Sequence, residues 1–169
     1  MDMNPKQSFE IAFTRVIDAP RELVFKAWTE REHFAKWWGP KGFTLEIIKM
    51  EARPGGVFLG VQTSLEKNLV LWGKFAYQEV VEPDKVAYIR SFSDEQGNTV
   101  RSPFSASWPL EILNIVSLKD VEGKTVLKLE GGPVNATVKE VEEYKGAAQM
   151  LLKDLENTFD KLADYLASY

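Results

Sequence analysis

The C-terminal segment from residue 137 onward most constrains how this chain can fold, because it carries one amphipathic pattern throughout. Its apolar residues follow steps of three or four: Val141, Tyr144, Ala148, Leu151, Leu155, Phe159, Leu162 and Leu166. A helix of this length extends roughly 45 Å at ~1.5 Å per residue, whereas a compact domain of this size is about 40 Å across. We therefore expect one uninterrupted helix that crosses the molecule and buries its apolar face.

The sequence also indicates where this helix begins. Thr137 is followed three residues later by Glu140, which is the spacing of a capping box, and Glu142 and Glu143 complement the positive end of the helix dipole. A sustained heptad pattern can instead indicate a coiled coil between two chains. The sequence leaves that alternative open.

Composition restricts the class of protein. The 169 residues are 44% hydrophobic, enough for one core, so we expect a polar segment at 1–8 and a single domain at 9–169. The net charge is -4, with basic residues scattered among acids, which disfavours a nucleic-acid partner. No apolar run approaches the ~20 residues of a membrane span, and no signal-peptide pattern is present. With no cysteine, the chain is expected to be cytoplasmic.

Most of the chain before the long helix has the alternating pattern of β-strands. Two short helices are expected after the first strand, one opened by Pro20 and one by a second capping box, Thr29 with Glu32, ending at Gly39. Pro54 and Gly55 suit the centre of a type II turn, and Pro83 suits the first central position of a type I turn. The predicted strands are 8–18, 43–50, 57–63, 69–80, 86–92, 112–120 and 124–130.

This order of elements predicts an α+β fold. A curved antiparallel sheet of about six or seven strands has one apolar face to bury, and the C-terminal helix is the element long enough to cover it. The sheet would grip the helix, and a cavity can remain between them. Gly146, Ala147 and Ala148 are small, so we expect any void to lie over that end of the helix.

Several motifs occur in a recognisable order along the chain: Ala19-Pro20-Arg21-Glu22-Leu23-Val24-Phe25, Ala27-Trp28-Thr29, Trp37-Trp38-Gly39-Pro40, Arg53-Pro54-Gly55-Gly56, Trp108-Pro109-Leu110-Glu111, Pro133-Val134-Asn135-Ala136-Thr137 and Thr158-Phe159-Asp160-Lys161-Leu162. Together they resemble the domain related to the C-terminal part of the activator of Hsp90 ATPase, within the START-like or Bet v 1-like helix-grip superfamily. The resemblance implies a hydrophobic-ligand pocket between sheet and helix. Members of the family bind lipids or aromatic compounds, some act as polyketide cyclases, and one branch assists a chaperone.

The chain departs from the family pattern at two places. Glu51 stands where the family usually has Asp, and Asp154-Leu155 stand where a Gly-Trp pair is expected on the long helix. Because Leu155 replaces a pocket-facing indole, the volume at the centre of the cavity should differ from that of relatives.

The candidate ligand-binding residues are mainly aromatic, and each also has a purely structural interpretation. Trp37 and Trp38 lie at helical spacing with Phe34, which is typical of core packing as well as of a pocket lid. Trp72 should point to the opposite face from Phe75 and Tyr77, since strand side chains alternate. The loop 94–108 either anchors itself through its aromatic residues or forms an entrance flap. The full candidate set is Trp28, Phe34, Trp37, Trp38, Phe58, Trp72, Phe75, Tyr77, Phe104, Trp108, Ala148, Leu151 and Leu155.

Catalytic chemistry is poorly supported by the sequence. His33 is the only histidine and cysteine is absent, so we predict no catalytic triad, no metal site and no cofactor. Glu46, Glu51 and Glu79 could serve as a pocket acid or base if desolvated, but solvated carboxylates are the simpler interpretation.

We therefore predict non-catalytic binding of a small hydrophobic molecule, either a lipid or an aromatic, polyketide-like compound. Two alternatives remain: a cyclase-like enzyme that uses pocket carboxylate or tyrosine groups, and a chaperone regulator that binds an Hsp90-type partner. A homodimer through a sheet edge or a helix is a further possibility.

Overall fold

The computed structural model describes residues 9–169, so the predicted polar segment 1–8 lies outside the described residues. The helices are α1 Arg21–Thr29, α2 Arg31–Phe34, α3 Val138–Gly146 and α4 Ala148–Ala167. The strands are β1 Ile11–Ile17, β2 Thr44–Met50, β3 Val57–Ser64, β4 Leu69–Val81, β5 Lys85–Ser93, β6 Thr99–Val100, β7 Glu111–Val121 and β8 Lys124–Val134. Within the described chain, no helix is both long and apolar enough to cross a membrane.

The strands form one antiparallel sheet in the order β1-β8-β7-β5-β4-β3-β2, with the short β6 paired to β5. The predicted α+β helix-grip fold is confirmed. Register shifts occur at Ile47/Lys49 in β2 and at Tyr77/Glu79 in β4. Extra residues at such irregularities bend the sheet, and one apolar face is turned toward α4.

The C-terminal helix is broken at Ala147, so the prediction of one uninterrupted helix is wrong. Ala147 has φ -93° and ψ 2°, which ends α3, and α4 starts at the next residue. Gly146 has a weak helix preference and precedes the break. Periodicity did not reveal the break because Tyr144 and Ala148 keep a step of four across it.

The capping box at the start of α3 is confirmed. The Glu140 amide donates to Thr137 Oγ1 over 3.1 Å, and the Thr137 amide donates to Glu140 Oε1 over 2.9 Å. The second predicted box is wrong, because the Thr29 hydroxyl instead donates to the Phe25 carbonyl oxygen within α1. Glu30 is the residue that precedes α2, and its side chain makes no capping bond.

The two β-turn predictions have different outcomes. The Gly56 amide donates to the Arg53 carbonyl oxygen over 2.7 Å, and Gly55 has φ +83°, as a type II turn requires. The second turn is displaced by one residue, because Asp84 donates to the Val81 carbonyl oxygen. Pro83 therefore occupies the second central position, after a cis peptide bond.

A dense aromatic cluster fills the end of the core below the short helices. The Trp37 ring lies 4.9 Å from that of Trp28 and 5.3 Å from that of Phe34, measured between centroids. Phe159 of α4 joins the cluster at 6.0 Å from Trp28 and from Trp37. All four side chains are almost completely buried. This end of the grip is therefore filled with side chains.

Candidate ligand-binding cleft

A cleft of about 230 Å³ lies between the apolar face of the sheet and helix α4. Strands β3, β4, β5 and β7 form one wall, and α4 contributes Leu151, Asp154, Leu155 and Thr158. The apolar and aromatic lining residues are Ile11, Trp38, Leu45, Phe58, Leu71, Trp72, Phe75, Phe92, Trp108, Ile112, Leu129, Leu151 and Leu155. The cleft is mostly hydrophobic, as small-molecule sites are.

Of two glycines in the floor of this cleft, Gly73 leaves room for a side chain, whereas a Cβ at Gly60 would lie 2.6 Å from the Phe58 ring. Gly60 and Gly73 are paired across β3 and β4, and both line the cleft. A Cβ added at Gly73 would meet only the Ser91 carbonyl oxygen, at 3.7 Å, which is ordinary contact. The sheet therefore lacks a side chain where one could be accommodated, and this leaves open volume over the middle strands.

Three hydrogen-bonding side chains enter this apolar space without protein partners. They are the guanidinium of Arg90, the amide of Asn114 and the hydroxyl of Tyr144, all of which line the cleft. Within residues 9–169, none of the three side-chain groups makes a hydrogen bond or ion pair. Burial raises the pKa of Tyr144 to about 12, so its hydroxyl is protonated and able to donate.

Asp154 is the only carboxylate among the lining residues, and it lies on the exposed side of the cleft. Desolvation raises the pKa of Asp154, while the positive charges of Arg90 and Lys67 oppose that rise. Asp154 and Arg90 are close enough to interact electrostatically, yet they form no ion pair. The guanidinium therefore keeps its full donor capacity.

The loop between β6 and β7 closes one end of the cleft. Trp108 packs on Tyr144 of α3 with 5.4 Å between ring centroids. Arg101 donates to the Glu140 carboxylate and, over 3.3 Å, to the Trp108 carbonyl oxygen. Phe104 is 63% exposed and touches the Phe92 ring from outside. These contacts anchor the Trp108 end of the loop to α3.

Sequence comparison assigns the chain to a family. The sequence model of one protein family, described as activator of Hsp90 ATPase homolog 1-like protein, matches residues 18–167. The chain belongs to this family. The match covers nearly the whole described domain, including the strands and helices that line the cleft, and the fold is the one expected from the sequence motifs.

Solved structures of other proteins share the helix-grip fold of this chain. A protein from Arthrobacter aurescens aligns with a TM-score of 0.75 and 18% identity, covering 100% of this chain and 94% of that chain. A protein from Staphylococcus epidermidis aligns with a TM-score of 0.74 and 22% identity, covering 99% of this chain and 94% of that chain. The AHSA1 protein of Silicibacter pomeroyi aligns with a TM-score of 0.71 and 16% identity, covering 93% of this chain and 96% of that chain. No curated protein matches the sequence.

The structure brings about half of the sequence-predicted site residues together at the cleft. Trp72 borders it even though strand alternation assigns its side chain to the opposite face from Phe75. The helical residues that line the cleft are Tyr144 and four residues between Leu151 and Thr158, and none of the small residues at 146–148 is among them. The predicted position of the void over those small residues is therefore wrong. The predicted site residues that line the cleft are Trp38, Phe58, Trp72, Phe75, Trp108, Leu151 and Leu155.

The remaining predicted site residues lie outside the cleft lining. Trp28, Phe34 and Trp37 belong to the filled aromatic cluster, where each is at most 1% exposed. Tyr77 is also buried, and burial raises the pKa of its hydroxyl. Phe104 is on the surface, and Ala148 packs half-buried against the core.

The carboxylates considered from sequence also lie away from the cleft. Glu46 is exposed on β2. Glu51 pairs with Lys49 and Arg53, and Glu79 pairs with Lys85 at 2.9 Å. His33 Nδ1 is 2.7 Å from the Tyr165 hydroxyl, on the far side of the aromatic cluster. Across residues 9–169, no group of three or more His, Cys, Asp or Glu side chains could hold a metal ion.

Sequence reasoning missed the polar groups of the cleft, Arg90 and Asn114. Both lie at alternate positions of strands that otherwise carry apolar residues on the same face: Val86 and Tyr88 in β5, and Val116 and Leu118 in β7. A polar residue in phase with a buried strand face is the signal that could have identified them.

Glu140 gives a prediction about acid stability. Its pKa is held below the usual range, first by the Thr137 amide and then by Arg101. A depressed carboxyl pKa adds stability that is complete above the unfolded-state value of about 4.3 and is lost as pH falls through the folded-state pKa. Glu140→Gln keeps the capping geometry but removes the charge. We expect it to lower the melting temperature at pH 7 and to have little effect in strong acid.

Thermal melts of both proteins between neutral pH and about pH 2 test this expectation. Glu142→Gln is the matched control, because Glu142 is exposed on the same helix and should show no comparable pH-dependent difference. A Glu140→Gln effect of equal size at every pH would show that the charge is not responsible.

Proposed function

We propose that this protein binds a compact, mostly apolar small molecule in the cleft, without catalysing its conversion. The observation that carries the proposal is the open, largely aromatic cleft between sheet and helix, which lies next to a core end that is completely filled. Packed interiors seldom leave spaces larger than a few water molecules. An unfilled apolar space with partnerless polar groups is the usual form of a ligand site.

The size of the cleft limits the ligand. An engineered apolar cavity of about 150 Å³ holds one benzene molecule, and drug-sized ligands occupy roughly 300–1,000 Å³. At about 230 Å³, the cleft suits a one- or two-ring aromatic compound or a short acyl chain. The aromatic walls formed by Trp38, Phe58 and Phe75 favour ring stacking. A sterol would need more space than this.

A thermal-shift screen with Leu155→Trp as a blocking variant tests the proposal. Small aromatic compounds, short and long fatty acids, flavonoids and sterols would be compared. A ligand at a hundred times its dissociation constant adds about 2.7 kcal/mol, or roughly 5–10 °C for a domain of this size. We expect such shifts for the compact aromatic class. In Leu155→Trp the indole should occupy the cleft and abolish the shift.

Leu65→Trp is the matched control, since Leu65 is 92% exposed at the turn between β3 and β4. This variant should bind like the unaltered protein. Equal ligand shifts in all three proteins would place binding outside the cleft, and the absence of any shift across the screen would contradict the proposed function.

A further inference from the structure

We propose that the ligand carries an anionic group, a carboxylate, and that Arg90 binds it inside the cleft. This inference rests on the proposed function and specifies the chemical class of its ligand. The cleft would then hold an amphipathic acid, with its apolar body against the aromatic wall and its carboxylate against β5 and β7.

The position of Arg90 supports this assignment. Arg90 shares a strand face with Tyr88, whose ring stacks on Phe75 at 3.9 Å in the interior. Its register partners are Phe75 on β4 and Ile112 on β7, both of which line the cleft. Its register partners are thus apolar and, within the described chain, the guanidinium has no ion-pair partner. A half-buried cation in this setting is strongly attracted to an anion.

The neighbouring polar groups complement a carboxylate. Asn114 on β7 is 4% exposed and follows Ile112 on the same strand face. A Cβ added at Gly131 would touch both the Asn114 amide nitrogen and the Tyr144 hydroxyl, so these two donors lie close together. Asn114 and Tyr144 can each donate as well as accept, Arg90 only donates, and a carboxylate only accepts. All three groups can donate to a carboxylate, and the positive charge of Arg90 favours an anionic acceptor over an uncharged one.

Other charged groups lie in or beside the cleft, and one of them, Glu10, is close enough to raise the pKa of Tyr144. Lys74 also borders the cleft, but its ammonium donates to the Gly97 carbonyl oxygen over 2.9 Å. Asp154 faces Arg90 without pairing with it, so its negative charge opposes the entry of an anion. Removing that charge should strengthen binding of a carboxylate.

Binding of 2-naphthoate and 2-naphthamide at pH 7 tests the inference, because the two molecules share a ring system and differ in charge. Calorimetric titration should show naphthoate binding about tenfold or more tightly. In Arg90→Met, which keeps an apolar stem, the two affinities should become equal through loss of naphthoate binding alone. Asp154→Asn should bind naphthoate more tightly and naphthamide unchanged.

Arg53→Met is the control, since Arg53 is exposed and lies outside the cleft. It should keep the preference of the unaltered protein. Equal binding of both compounds by the unaltered protein, or a preference that persists in Arg90→Met, would overturn the inference while leaving the proposed function intact. Failure of both compounds to bind would count against the inference and the proposed function together.

Discussion

Replacement of Trp37 by alanine is expected to lower the free energy of unfolding by about 3–5 kcal/mol. Trp37 is fully buried, and its ring contacts those of Trp28, Phe34, Trp38 and Phe159. Its Nε1 also donates to the Ala27 carbonyl oxygen over 3.0 Å. The substitution would therefore remove packing from four rings, leave a cavity and remove the hydrogen bond to that carbonyl.

Urea denaturation followed by circular dichroism measures this loss, provided that unfolding is two-state. Phe104→Ala is the matched control, because Phe104 is an aromatic residue that is 63% exposed. Its effect should lie within about 0.5 kcal/mol of zero. If Trp37→Ala cost no more than Phe104→Ala, the aromatic cluster would not be the rigid core described above.

Gly56→Ala should be nearly as damaging, by about 3 kcal/mol or more, although only one methyl group is added. A Cβ at this position would overlap the Glu51 carbonyl oxygen and lie 3.0 Å from the Arg53 carbonyl oxygen. Backbone atoms cannot move aside as a flexible side chain can. The Gly56 carbonyl oxygen also accepts a hydrogen bond from the Tyr77 amide of β4 over 3.0 Å.

Gly55→Ala separates crowding from backbone conformation. Gly55 has φ +83°, but a Cβ there would meet nothing within 4 Å. Its substitution should cost about 1–2 kcal/mol, the usual cost of a left-handed alanine. Denaturant melts of both variants compare the two effects. A larger loss for Gly55→Ala than for Gly56→Ala would show that the turn, and not the close approach to Glu51, limits position 56.

The elements that could be predicted from sequence are those fixed by local chemistry. The Thr137–Glu140 capping box and the Arg53–Gly56 turn depend on a few adjacent residues, and both form as expected. Alternation likewise predicted that Phe75 and Tyr77 share a strand face, and both are buried together. The helix-grip architecture followed because one long amphipathic segment had only one sheet to cover.

Features that depend on several distant elements could not be predicted in the same way. The break at Ala147 preserves the apolar period, so no pattern marks it. The Thr29 hydroxyl could either cap the start of α2 or donate to a carbonyl oxygen within α1. It donates to the Phe25 carbonyl oxygen, one turn earlier in α1. Arg90 and Asn114 become a site only because β5 and β7 are neighbours in the sheet, and strand order cannot be derived from alternation.

The break at Ala147 divides the helical side of the cleft into two separately supported bodies. Tyr144 belongs to α3, which packs on β8, while Leu151 and Leu155 belong to α4, which packs on β1. A rotation of α3 about this joint would move Tyr144 relative to Leu151 and Leu155, while Phe159 on α4 would keep its contacts with Trp28 and Trp37. The Tyr144 side of the cleft can therefore shift by itself, whereas Trp38 and Phe58 on the other side are tied to the aromatic cluster through Phe34.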